Sequence, residues 1–136
     1  MRGVSVLLFS AALGACSTAP QPGRSAKAEA HLQKLLAGKV AGAPVSCLPN
    51  YRSEDMVAID DNTILFREGN RRIWRNDLNG GTCNGVASGS YALVTNRFGG
   101  LGLCRGDIGR VVDLRSGMTV GSCAMGDFVP YASPRG

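Results

Sequence analysis

Histidine is nearly missing from this chain: His31 is the only one in 136 residues. Imidazole performs most acid–base work near neutral pH and ligates much of the zinc in proteins, so those chemistries have almost nothing to draw on. Aromatic residues make up 6% and charged residues 18%. A domain with so few rings needs another source of stability than a large aromatic core. Three motifs are also absent: the G-x-S-x-G elbow of serine hydrolases, the G-x-x-x-x-G-K-[ST] phosphate loop and the G-x-G-x-x-G dinucleotide loop. No C-x-x-C pair occurs either, which argues against structural zinc and against a dithiol redox centre. No apolar run approaches the about 20 residues that a membrane-spanning helix requires.

What is present begins with a processing signal. Arg2 supplies a positive start, Val4 to Leu13 is a short apolar run, and Leu13-Gly14-Ala15-Cys16 closes it with small residues before a cysteine. Leu-Gly-Ala-Cys resembles the lipobox of bacterial lipoproteins. That resemblance implies diacylglycerol transfer to Cys16, cleavage before it and acylation of the new terminus, so that residues 1–15 are a lipoprotein signal peptide. Several acyl chains would hold the protein to its membrane, since each buried methylene contributes about 0.8 kcal/mol. Ser17 stands where an aspartate would favour retention at the inner membrane, so the resemblance implies an outer-membrane lipoprotein facing the periplasm. The alternative is an ordinary secreted periplasmic protein with Cys16 incidental.

Residues 16–24 read as the lipidated cysteine and a flexible tether containing Pro20, Pro22 and Gly23. Residues 25–43 read as an amphipathic helix and linker. Ser25 is suited to cap the helix, Ala28, Leu32, Leu35 and Leu36 recur on one face, and Gly38 can end it. That stripe is expected to dock on the rest of the domain.

Residues 44–136 read as the β-rich domain, and the 19 glycines of the whole chain, about twice the usual share, fall mostly between short apolar runs. Met56 to Ile59, Thr63 to Arg67 and Arg71 to Asn76 predict a three-strand meander. A two-residue Gly69-Asn70 turn would oppose Phe66 to Ile73 and Leu65 to Trp74, placing Val57, Ile59, Ile64, Phe66 and Ile73 on one face and Ala58, Leu65 and Trp74 on the other. Tyr91 to Thr95, Gly102 to Cys104, Ile108 to Leu114 and Met118 to Met125 are further candidate strands. The expected fold class is therefore mainly β, all-β or α+β: a small disulfide-stapled antiparallel sandwich or partly open barrel with one N-terminal helix.

With Cys16 assigned to lipid, Cys47, Cys83, Cys104 and Cys123 remain, an even number in an exported domain, and predict two disulfides. Three connectivities are open. Closure of the glycine-rich excursion favours Cys83–Cys104, and joining the two ends of the chain favours Cys47–Cys123.

Arg67, Arg71, Arg72 and Arg75 crowd one hairpin around Trp74. They form a candidate surface for an anionic envelope glycan or lipid, set against the plainer reading of a solvated face whose arginine stems cover apolar surface. Nucleic acid is not an expected partner of an exported chain. Asp60-Asp61-Asn62 lacks the alternating oxygens of a calcium loop and reads as a turn. Arg105-Gly106-Asp107 is too short a signal to carry an integrin reading, and Asp107 is taken as a turn or salt-bridge residue. Carboxylates such as Asp107 with Asp113 or Asp127 could serve an acid–base reaction, which would need a separation of about 5–10 Å in a cleft.

Leu36-Ala37-Gly38-Lys39-Val40-Ala41-Gly42 before Cys47, Leu103-Cys104 followed by Asp107, and Gly126-Asp127-Phe128-Val129-Pro130-Tyr131 resemble segments of small exported proteins and lipoproteins of proteobacteria to which no activity is assigned. The resemblance supplies no catalytic residue, metal or cofactor. The expectation is a non-enzymatic envelope lipoprotein, anchored to the membrane by lipid, whose β-rich domain binds or supports an envelope component, either a protein or an anionic glycan or lipid. The alternative is a small carboxylate-dependent hydrolase or glycan-modifying enzyme.

Overall fold

The computed structural model describes residues 23–48, 55–81, 83–96 and 102–135. Cys16, the signal segment and most of the tether lie outside the described residues. Helix α1 spans Ala26–Leu36, and strands follow at β1 (Val40–Ala41), β2 (Cys47–Leu48), β3 (Met56–Ala58), β4 (Thr63–Glu68) and β5 (Arg72–Asp77). After a short 3-10 turn at Val86–Ser88 come β6 (Tyr91–Thr95), β7 (Leu103–Cys104), β8 (Ile108–Asp113), β9 (Thr119–Ala124) and β10 (Phe128–Ala132). The strands form a five-stranded sheet in the order β1-β10-β5-β4-β3, a three-stranded sheet β6-β8-β9 and a two-stranded ribbon β2-β7. Every pairing is antiparallel, and no sheet closes into a barrel.

The architecture is layered. Side chains alternate across a strand, and both faces of β4 are covered: Thr63, Ile64, Leu65 and Phe66 are all buried. Ile64 and Phe66 join Phe128 in one cluster with Leu93 and Val111 of the smaller sheet and Leu48 and Leu103 of the ribbon. Leu65 belongs to a second cluster with Ile59, Ile73 and the helix residue Leu32, flanked by Ala28, Leu35 and Leu36. The leucine stripe thus docks the helix on the outer face of the large sheet. Burying a Leu side chain contributes about 1.5–3 kcal/mol, and Leu32 is 1% exposed. Ser25 caps the helix, its Oγ accepting from the Ala28 N–H at 3.2 Å. Gly38 follows its end at φ +71°.

The central hairpin differs from the expected register by one residue. Phe66 opposes Trp74, Arg67 opposes Ile73 and Glu68 opposes Arg72. The loop has three residues, Gly69 to Arg71, and begins with Gly69 at φ +61°, a left-handed conformation that glycine adopts without a Cβ penalty. A one-residue slip exchanges faces. Ile73 and Val57 therefore lie with Leu65 beneath the helix, while Ile64, Phe66, Trp74 and Ala58 face the second layer.

β1 and β10 complete the large sheet. Val40–Ala41, within the segment read as linker, pairs with Ala132 and Tyr131. β10 contains Pro130, yet sits second from the edge. Its neighbour there is the two-residue β1, so one missing N–H disrupts little. The Pro130 carbonyl still accepts from the Gly42 N–H at 2.7 Å.

Two disulfides staple the layers, with a pairing that corrects the expected one: Cys47–Cys104 and Cys83–Cys123 rather than Cys83–Cys104 and Cys47–Cys123. Cys47 stands directly opposite Cys104 in the ribbon. Cys83 reaches Cys123 because Gly81 forms a bridge to Cys123 at the edge of β9. The bridges differ in access: Cys83 and Cys123 are buried, Cys47 and Cys104 only half-buried. Mild reductant followed by alkylation is expected to label Cys47 and Cys104 first, which peptide mass mapping would show.

Arg24 locks the segment before α1 onto this body. Its side chain is 6% exposed. It donates to Asp60 at 2.6 Å, to Glu29 at 3.1 Å and to the Thr63 hydroxyl, which in turn donates to Asp77 at 2.8 Å. Burial alone would raise the Asp60 carboxyl, but the Arg24 bond, the Asn62 and Thr63 N–H groups and the Arg24 charge together hold it below its ordinary value. A carboxyl depressed in the fold contributes stability above its unfolded value, near pH 4, that is lost as pH falls through the folded value. Stability is expected to fall on acidification below about pH 4, and Asp60→Asn to flatten that part of a urea-midpoint profile. All the residues that build the two clusters, both disulfides and the Arg24 ion pairs lie between residues 24 and 135. A chain beginning at Gly23 therefore keeps every contact described for the fold.

Candidate functional site

The strand directions give the domain two distinct ends. β4 runs from Thr63, beside Arg24, to Glu68, beside the Gly69–Arg71 loop. At about 3.3 Å per step, the five steps from Thr63 to Glu68 separate these ends by roughly 16 Å. β10 ends beside the same loop, where the Ser133 N–H donates to the Arg71 carbonyl at 3.1 Å. The chain enters at one end, and the arginine-rich hairpin lies at the other.

The pleat divides the five candidate residues of that hairpin. Arg72 and Trp74 face the second layer, Arg67 and Arg75 face the helix side, and Arg71 sits in the loop. Trp74 Nε1 donates to Glu68 Oε2 at 2.7 Å, and the Arg72 guanidinium lies 5.7 Å from the Trp74 ring centroid. Arg72 also approaches Glu68 at 3.4 Å. Both members of that pair are about half exposed, so the contact is weak and exchangeable. Arg75 is committed elsewhere, bound to Asp77 through both Nε and Nη2 at 3.1 and 3.0 Å. The five residues therefore do not form one surface.

A different grouping takes their place. Arg71, Arg72 and Glu68 form one wall of a surface depression of about 760 Å3, and the segment from Ala132 through Ser133 and Pro134 to Arg135 forms the other. Among the described residues, neither Arg71 nor Arg135 has a carboxylate at ion-pair distance. Three guanidinium groups against one carboxylate make a site for an anion, since the planar N–H fork of arginine matches carboxylate and phosphate geometry. Arg135 was not a candidate from sequence. It lies far along the chain from the hairpin, and only the pairing of β10 with β5 brings it there.

Asp107 and Asp113 are held apart, while Asp107 and Asp127 lie on adjoining segments, the Met125 N–H donating to the Asp107 carbonyl at 2.9 Å. Asp107 precedes β8 and Asp113 ends it, so the strand holds them about 20 Å apart, beyond acid–base partnership. Asp113 Oδ1 accepts from the N–H groups of Arg115 and Ser116 at 2.8 and 2.9 Å. Those bonds hold its carboxyl below the ordinary range, away from what a general acid requires. Asp107 closes the Cys104–Asp107 turn by accepting from the Cys104 N–H at 2.7 Å, and Asp127 pairs with Arg105 at 3.3 Å. Asp60 accepts from the Asn62 and Thr63 N–H groups within its turn, and Asp61 Oδ1 accepts from the distant Gly85 N–H at 2.8 Å. His31 is exposed on the helix. Among the described residues, no group of three or more His, Cys, Asp or Glu is placed to hold a metal ion, and no helix is long and apolar enough to cross a membrane.

No family model, no curated protein and no solved structure matches this chain.

Proposed function

We propose that the chain is an exported, lipid-anchored binding protein of the bacterial envelope, which presents an arginine-lined depression to an anionic glycan. The observation that carries this reading is the position of Arg71, Arg72 and Arg135 around one depression, at the end of the large sheet remote from the entry of the chain at Gly23 and Arg24. An anchor on Cys16 would reach the domain at its other end. The arginines then face away from the anchoring membrane, which favours a polymer across the compartment over the headgroups of that membrane. The disulfides support an oxidising compartment, and the half-buried Cys47–Cys104 bridge would not persist among cytosolic thiols. Binding requires no cofactor. The protein acts by holding its ligand, with no reaction assigned.

The test is co-sedimentation of the purified chain with isolated cell-wall glycan at low salt. The variant carrying Arg71→Ala, Arg72→Ala and Arg135→Ala is expected to lose binding about tenfold or more, because each charge-assisted contact contributes about 1.5–3 kcal/mol when made. Equal retention of the two proteins would overturn the proposal. Intact mass of the membrane-fraction protein addresses the anchor separately: a triacylated chain starting at Cys16 supports it, and an unmodified chain removes it.

A further inference from the structure

The tip of the β8–β9 hairpin is unusual for a small domain. Leu114 is 62% exposed, Met118 67% and Val120 54%. Single exposed apolar residues are commonplace, but three within seven positions of one hairpin concentrate apolar surface at its tip. The turn is rigid. Asp113 accepts from the N–H groups of Arg115 and Ser116 through its side chain, and from that of Gly117 at 2.8 Å through its carbonyl. Gly117 takes φ +70°. The apolar side chains are thus held outward by a preformed loop with Arg115 at its apex.

The hairpin tip lies at the same end of the domain as the entry of the chain. Gly23 and Arg24 line a surface depression with Ala87. The Leu114 N–H donates to the Ser90 carbonyl at 3.2 Å. Only two residues separate Ala87 from Ser90, so their Cα atoms are at most about 11 Å apart. β6 starts at this end and runs antiparallel to β8, with Tyr91 opposite Asp113.

We infer that Leu114, Met118 and Val120, with Arg115 beside them, form a membrane-contact finger that inserts its apolar side chains at the headgroup boundary of a phospholipid surface carrying anionic lipid. The occupant follows from position. The chain preceding Gly23 leaves from this end, and an anchor on it brings this end to the bilayer. Arg115 stands beside the Asp113 carboxylate, so their charges offset each other and the apolar side chains supply the attraction, with the arginine stem on apolar surface and its head at phosphate. The finger would orient the domain so that the arginine-lined depression points outward. This inference rests on the lipid-anchored reading for its biological setting, but its test does not.

The chain from Gly23 to Gly136, with an N-terminal hexahistidine tag, is held on vesicles of phosphatidylcholine and phosphatidylglycerol through a nickel-chelating lipid, which supplies the tether whether or not Cys16 is ever acylated. Amide hydrogen exchange is then read for residues 114–121 and, as a reference at the remote end, for residues 69–72, on vesicles and free in solution. Vesicles are expected to slow exchange at least fivefold in 114–121 and to leave 69–72 unchanged. The variant Leu114→Ser with Met118→Ser, which alters only exposed side chains, should lose that slowing. Equal exchange on vesicles and in solution would overturn the inference. So would slowing at 69–72 instead, or slowing in free solution that grows with protein concentration, which would assign the patch to a second copy of the chain.

Discussion

Alanine at Gly126 is expected to destabilise the domain by about 3–5 kcal/mol, lowering its melting temperature by roughly 15–30 °C. A Cβ at this position would stand 2.0 Å from the carbonyl oxygen of Asp77, a backbone atom that cannot swing aside. The same residue is clamped by Asn76, which is fully buried in the large sheet. Asn76 Nδ2 donates to the Gly126 carbonyl at 2.8 Å, and its Oδ1 accepts from the Gly126 N–H at 3.0 Å. Relief of the clash by moving the backbone would break both bonds and strand a buried amide, so steric and polar costs add. Circular dichroism melts of G126A beside the parent protein would measure the effect. A shift within a few degrees would mean that the junction before β10 is looser than this geometry requires. Asn76→Ala should show the polar part alone, about 2–3 kcal/mol.

Loss of the buried disulfide should cost nearly as much. With Cys83→Ala and Cys123→Ala together, the 40-residue separation gives about 4 kcal/mol from the entropy of the unfolded chain alone. Both sulfurs also pack in the main cluster, beside side chains such as Val86 and Met125, so removing them leaves unfilled volume. The equivalent change at Cys47 and Cys104 should have a similar entropic cost, from a separation of 57 residues, but a smaller packing cost because those residues are only half-buried. Urea unfolding of the two double variants would rank them. A larger loss at Cys47–Cys104 would overturn the packing argument.

The fold was partly legible because its local signals agree with one another. Ser25, the leucine stripe and Gly38 each mark α1, and the helix lies where they place it. The meander was legible for the same reason, its alternating runs being separated by turn residues. Its register was not. A glycine followed by an asparagine suits a two-residue turn as well as the start of a three-residue loop, and the difference moves Ile73 from one face of the sheet to the other. β10 escaped strand assignment because Pro130 speaks against an interior strand, and only the shortness of β1 makes the position tolerable. Disulfide pairing depends on strand neighbours that chain-closure arguments do not contain, which is why Cys47 pairs with Cys104 across the ribbon. At the candidate site, the arginine-rich hairpin was visible, but period-two alternation separates residues that adjoin in sequence. Arg135 joins Arg71 and Arg72 only through long-range pairing.

The first and last strands of the domain are neighbours, and this has a consequence for the order in which the chain can fold. β10 lies between β1 and β5 and delivers Phe128, with no exposed surface, to the main cluster. Until residues 128–132 emerge, β1 has no partner, β5 is left as an open edge and the cluster lacks Phe128. The two disulfides likewise wait for Cys104 and Cys123. A nascent chain therefore has no stable stopping point on the way to the complete domain, and long-range pairing of this kind forms slowly. Under the proposed export, a chain of this topology stays threadable until residues 128–132 have been made.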